Sequence, residues 1–100
     1  MDGGQRFAWD AHNIGHLARH KVRREEVEQA LSSDVVDLDY RVTADGEERW
    51  TALGQTASGR VLVIVWTVLE DGSYRPVTAY PATKRLESVY RRLIQGASQS

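Results

Sequence analysis

The chain has no cysteine, only two prolines and no long apolar run. Without thiols there are no disulfides, no thiolate metal ligands and no cysteine nucleophile, and a reducing compartment is allowed. The longest apolar stretch, residues 61–66, is strand-sized and far short of a membrane span. The opening residues, MDGGQRF, lack the apolar core of a signal peptide, so a cytoplasmic location with no membrane partner is expected. A glycine-rich phosphate loop, a nucleophile elbow, an HExxH pattern and a metal-type carboxylate cluster are missing too, which sets those reaction classes aside. No cofactor and no bound metal are expected.

What remains is ordinary in bulk and uneven in detail. One hundred residues, 41% apolar and 27% charged, fit a single domain over 1–100 with its core at about 6–95. A net charge of −1 argues against bulk nucleic-acid binding. Residues 25–48, however, hold nine carboxylates against Arg41, about −8, while residues 74–95 set Arg75, Lys84, Arg85, Arg91 and Arg92 against Glu87, about +4. Residues 1–24 add about +3. A chain polarised in this way can offer its basic parts to RNA while the acidic ones face water or a basic partner.

The apolar spacing gives the element order. Asp10 suits the N-cap of a helix over 11–20, with Ile14 and Leu17 facing inward. A second helix covers 24–31, with Val27, Ala30 and Leu31 inward and carboxylates in its first turn, where the dipole favours them. The period then changes to two. Residues 35–40 alternate Val36, Leu38 and Tyr40 against Asp37 and Asp39, and a turn at 43–46 leads to a strand at 48–53. After a turn at 57–60 with Gly59, residues 61–69 are apolar on both faces, the mark of a central strand. Asp71-Gly72 signals a hairpin into the last strand, 74–80, where Pro76 and Pro81 fit only at an edge or near the ends. Thr83 caps the final helix, whose Leu86, Val89, Tyr90, Leu93 and Ile94 form an inward stripe. Loose ends are expected at 1–5 and 96–100. The order is ααββββα: an α+β fold with two N-terminal helices, a four-stranded antiparallel meander and a C-terminal helix.

The junction after the last strand delivers Thr78 and Tyr80 directly ahead of the basic helix. A phenol and clustered cations on a rigid scaffold suit a polyphosphate ligand, and a solvated helix face beside a strand end is the equally weighted alternative.

Two segments carry a family likeness. FAWDAHNIGHLARHKVRREEVEQAL places Trp9, Asp10, Asn13, His16, Arg19, His20, Val22, Glu25 and Glu26 in one pattern. GEERWTALGQTASGRVLVIVWT, followed by VTAYPATKRLESVYRR, supplies the second. Together they resemble BrnT-like toxins of type II toxin–antitoxin modules. The resemblance implies a RelE-like fold and a metal-independent endoribonuclease that slows translation. It also implies neutralisation by a cognate antitoxin, typically a ribbon-helix-helix DNA-binding protein, in a hetero-oligomer that touches DNA only through the antitoxin. Three positions depart from the pattern: Lys21 stands where glycine is usual, Arg23 where Ser or Thr caps the second helix, and Tyr80-Pro81 where many relatives have Arg-Arg.

Metal-free RNA cleavage requires a base for the 2′-hydroxyl, cations around the pentacoordinate phosphorus, and an acid for the leaving 5′-oxygen. His12, His16 and His20 recur every four residues on one helix face. The outer pair stands about 12 Å apart along the axis, too far to share an ion. His20 matches the motif and has basic neighbours, so it is the preferred proton carrier; a helix-terminal contact to the last carbonyls is its bland alternative. His16 has a core-side reading and His12 an exposed one. Arg49, Lys84 and Arg85 are the phosphate candidates, with Arg49 also able to pair with Glu47 or Glu48. Tyr80 donates to phosphate, stacks on a base, or is a half-buried edge aromatic. Glu48 acts as a base only if burial raises its pKa. Arg75, Arg91 and Arg92 fit RNA steering. Trp9, Trp50 and Trp66 are most simply core.

Overall fold

The computed structural model describes residues 4–99. The elements are α1 (Ala11–Ala18), α2 (Arg24–Leu31), β1 (Val36–Val42), β2 (Glu48–Gln55), β3 (Val61–Val68), β4 (Tyr74–Pro81) and α3 (Lys84–Gln99). The strands form one antiparallel sheet in the order β1-β2-β3-β4, as the turn signals required. Gly59 and Gly72, at φ 93° and 87°, close two of the hairpins in a conformation that a Cβ disfavours.

Both expected caps form. Asp10 accepts from the Asn13 N–H at 2.9 Å and Asn13 Oδ1 accepts from the Asp10 N–H at 2.8 Å. Thr83 Oγ1 accepts from the Leu86 N–H at 3.2 Å at the start of α3. Arginine has no acceptor to cap α2, but Glu26 takes the Arg23 N–H at 3.0 Å and supplies the other half of the arrangement.

α1 ends at Ala18, two residues before the expected boundary. The Lys21 N–H bonds to the Ala18 carbonyl, the Val22 N–H bonds to the Leu17 carbonyl, and Lys21 has φ 59°. That is a Schellman terminus, closed by the buried pair Leu17 and Val22. Its left-handed position is the one where the related pattern carries glycine.

α1 and α2 cover one face of the sheet. Leu17, Val22, Val27 and Ala30 pack there against Ala52, Leu62, Ile64, Trp66 and Ala79, with Trp9 and Trp50 at the margin. Burying each large aliphatic side chain contributes about 1.5–3 kcal/mol. α3 lies on part of the other face, where Tyr90, Leu86 and Ile94 meet Leu53, Val61 and Val63. β3 is buried on both sides, as its composition indicated.

Several expectations need correction. β1 runs to Val42 and is exposed almost throughout, because it is an edge strand that packs against α3 only at its first residue, Val36. A bulge between Asp37 and Asp39 breaks its alternation: Val36 opposes Leu53 on the α3 side, whereas Tyr40 opposes Trp50 on the α1 and α2 side. Ile14 is 37% and Leu93 is 52% exposed, since each stands at the margin of its helix's contact stripe. α3 continues through the stretch expected to be a polar tail, where no proline interrupts its ladder. Residues 1–3 and 100 of the expected loose ends lie outside the described residues.

Candidate active site

α3 leaves part of its sheet face uncovered, and a hollow of about 440 Å³ opens there. Its floor is Val63, Val65 and Val77, with Leu86 of α3 as one wall and Leu38 of β1 on the opposite side. Polar groups ring this floor: Asp39, Arg41, Arg49, Thr51, Thr78 and Tyr80. Strand periodicity explains the set, because Thr51 opposes Val65, Val65 opposes Thr78, and Val63 opposes Tyr80, all with side chains on one face.

Two guanidiniums share one wall. Arg41 and Arg49 stand directly opposite each other across the β1–β2 ladder. Like charges in that position repel, and each is met by the carboxylate two residues earlier in the chain, Asp39 within β1 and Glu47 just before β2. Arg49 donates from Nε to Glu47 Oε1 at 2.8 Å, and its Nη2 stands 2.8 Å from the same oxygen as an ion pair. Arg41 donates from Nε to Asp39 Oδ2 at 3.1 Å, and its Nη2 stands 3.1 Å from the same oxygen as an ion pair. Arg49 thus sits in the hollow and is ion-paired at once.

Tyr80 is 40% exposed at the other side of the hollow. Its ring also meets His20 across the β4 edge, with centroids 5.9 Å apart. Behind His20 the imidazoles continue down α1: His16 lies 6.2 Å from His20 and His12 lies 6.4 Å from His16. His20 therefore approaches the hollow through Tyr80 rather than lining it. Among the described residues no three His, Asp or Glu side chains gather to hold one ion.

The other sequence candidates are distributed around this centre. Lys84 and Arg85 are exposed in the first turn of α3, beside the wall formed by Leu86 but outside the lining. Arg92 is exposed further along α3. Arg91 is engaged by Glu87 Oε2 at 2.8 Å and by the Gly59 carbonyl at 3.0 Å. Arg75 donates to Asp10 Oδ2 at 2.8 Å, which ties β4 to the cap of α1. The Asn13 N–H and, next, that guanidinium hold the Asp10 carboxyl below its usual range. Glu48 faces the opposite side of the sheet, where it accepts from the Tyr40 hydroxyl and thereby raises the Tyr40 pKa. A base role for Glu48 in this hollow is excluded by that orientation.

Sequence reasoning singled out Thr78 with Tyr80 at the strand–helix junction but missed Arg41 and Thr51 as members of the site. Part of the signal for Arg41 was present: the turn near 43–46 implies a hairpin whose first strand reaches residues 41 and 42, and the observed register sets them opposite 49 and 48. Ending the strand at residue 40 hid it.

The molecule is thus a small α+β protein whose open sheet face carries two guanidiniums, two threonine hydroxyls and a phenol around an apolar floor. A family model described as "Ribonuclease toxin, BrnT, of type II toxin-antitoxin system" matches residues 9–85, and the chain belongs to that family. Membership makes it a ribonuclease toxin with an RNA target and a cognate protein antitoxin. The matched stretch includes His20, Arg49, Tyr80, Lys84 and Arg85 and stops before Arg91 and Arg92. No curated protein matches the chain. No helix among the described residues is long and apolar enough to cross a membrane.

Proposed function

We propose that this chain is an endoribonuclease that cuts RNA without a metal, by general acid–base chemistry over the hollow. Arg49 grips the scissile phosphate and stabilises the charge that develops on it, with Lys84 and Arg85 supplying further positive charge at the rim. The 2′-hydroxyl loses its proton as its oxygen attacks phosphorus, and the leaving 5′-oxygen takes one up. His20 and Tyr80 handle these protons and position the RNA, with His16 behind them. Arg75, Arg91 and Arg92 steer the strand, Arg75 and Arg91 most effectively where their partners Asp10 and Glu87 yield. A ribbon-helix-helix, DNA-binding antitoxin neutralises the toxin in a cytoplasmic hetero-oligomer, and one domain carries the whole activity.

The supporting observation is that Arg49 and Tyr80, distant in sequence, line one hollow with the His20 ring against Tyr80. Purified protein incubated with a long RNA in EDTA is the test. Wild type is expected to produce fragments, and Arg49→Ala and Lys84→Ala to slow their appearance by about 10²–10³-fold, the usual loss for one transition-state donor. Full cleavage by both variants would end the assignment.

One observation favours a second reading. Arg41 and Arg49 are both occupied by carboxylates, as in a module that binds partners without cutting. Under that reading wild type yields no fragments and expression leaves growth unimpaired, so the same experiment decides.

A further inference from the structure

We infer that the hollow is a nucleobase-binding subsite and that Thr51 and Thr78 determine which base it accepts. The inference rests on the RNA reading above and adds the part of the RNA that the site selects.

A phosphate alone does not account for the lining. Val63, Val65 and Leu86 give the floor an apolar character that would strip water from an anion without replacing it. A flat aromatic base suits such a floor, and about 440 Å³ lies within the range of sites for nucleotide-sized ligands. The polar groups are then placed where a base needs them. Thr51, Val65 and Thr78 form one row across three adjacent strands, so an apolar seat lies between two hydroxyls. With neighbouring strands about 4.8 Å apart, the two threonine backbones stand roughly 10 Å from each other. A base seated on Val65 has one hydroxyl toward each edge.

Neither hydroxyl has a hydrogen-bond partner among the described residues. Both are half-buried, so water meets them only from the open side of the hollow. Each can donate or accept, and each discriminates by whether the base edge offers a partner. Tyr80, one row further along, supplies a ring for stacking. Arg41 and Arg49 on the β1–β2 wall take the flanking phosphates, which position the strand without reading it.

The test titrates the four nucleoside 5′-monophosphates and inorganic phosphate into the protein and follows backbone amide shifts. At least one nucleotide is expected to bind 10-fold or more tighter than inorganic phosphate, with shifts centred on residues 49–53, 63–65 and 78–80. The best and worst bases should differ by about 3- to 10-fold, the worth of one or two neutral hydrogen bonds. Thr51→Val and Thr78→Val should erase that difference, and Thr51→Ser and Thr78→Ser should keep it. Equal binding of all four nucleotides, affinities no better than inorganic phosphate, or shifts elsewhere would overturn the inference. Should the valine variants not fold, the wild-type titration and the serine variants still decide. Selective binding without RNA cleavage sinks only the nuclease proposal, and cleavage without base selectivity sinks only this inference.

Discussion

Gly54→Ala separates tertiary geometry from intrinsic preference, because the two predict opposite signs. Gly54 lies inside β2 with ordinary strand backbone, where alanine restricts the unfolded chain and stabilises by about 0.4–1 kcal/mol in open space. Here the space is filled. A Cβ at position 54 would overlap the Ala30 carbonyl oxygen of α2, and would stand 2.8 Å from its carbonyl carbon and 3.1 Å from its Cβ. Relief to ordinary contact at 3.4 Å moves α2 outward by at least 0.6 Å past that carbon, and by more past the oxygen. The obstacle is backbone, so no rotamer change removes it. Two bonds that clamp α2 to the sheet lengthen with the shift: Ser33 Oγ from the Gln55 N–H at 3.2 Å, and Gln29 Oε1 from the Ala57 N–H at 3.0 Å. Overpacking of this kind costs about 1–3 kcal/mol, and each weakened hydrogen bond up to about 1 kcal/mol. A net loss of about 3 kcal/mol follows, or a fall in Tm of roughly 12–24 °C for a chain of this size. Urea and thermal unfolding followed by tryptophan fluorescence measure it, since Trp9, Trp50 and Trp66 all border the core against which α2 packs. A variant as stable as wild type, or more stable, would refute the close approach.

Lys21→Gly should act in the opposite direction. It removes the Cβ penalty at φ 59° and is expected to stabilise by about 1 kcal/mol, read as a higher urea midpoint at unchanged m-value; a loss of stability would disprove the left-handed terminus. Stability should also fall as the pH drops below the ordinary carboxylate range. Burial alone pushes the Glu26 carboxyl up, but the Arg23 N–H and the Arg60 guanidinium at 3.1 Å outweigh it and hold the carboxyl below its ordinary value. Asp10 and Asp71 are depressed as well, chiefly by the N–H groups of Asn13 and Ser73. The folded state then binds fewer protons than the unfolded chain, so this stability is complete above the unfolded carboxylate pKa and is lost as pH falls through the folded one. Glu26→Gln should flatten that acid limb in urea titrations at stepped pH, and an unchanged slope would show that the Glu26 pair contributes nothing.

Most of the fold was readable because its determinants are local. Asp10, Thr83 and the glycines of the 57–60 and 70–73 turns mark boundaries by their own backbone chemistry, and β3 declares its central place by being apolar on both faces. The misreadings share a cause: each depends on a partner distant in sequence. The bulge at Asp37–Asp39 exists in the pairing with β2, not in the sequence of β1, so Val36 and Tyr40 were assigned to one face. α1 stops early because Leu17 and Val22 close a terminus around Lys21, a residue with no intrinsic preference for it. In the candidate site, Arg49, Thr78 and Tyr80 were singled out by residue type and place in the chain, whereas Arg41 and Thr51 join them only once the strands are in register. Lys84 and Arg85 were grouped with Arg49 by charge. A helix turns about 100° per residue, and Leu86 rather than either cation reaches the wall.

The carboxylates on Arg41 and Arg49 bear on whether the hollow can still receive phosphate. Two guanidiniums opposite each other on an edge hairpin repel, and Asp39 and Glu47 relieve the repulsion. The Arg49–Glu47 side chains are 37% and 41% exposed and those of Arg41–Asp39 73% and 45%, so both pairs belong to the weak, screened class of about 0.2–1 kcal/mol. A hydrogen bond between a guanidinium and a phosphate oxygen contributes about 1.5–3 kcal/mol, and one phosphate between two arginines makes several. Exchange therefore runs toward phosphate, with the carboxylates returning to water. On this arithmetic the ion pairs let two like charges stand on one strand pair, and they do not by themselves close the hollow to RNA.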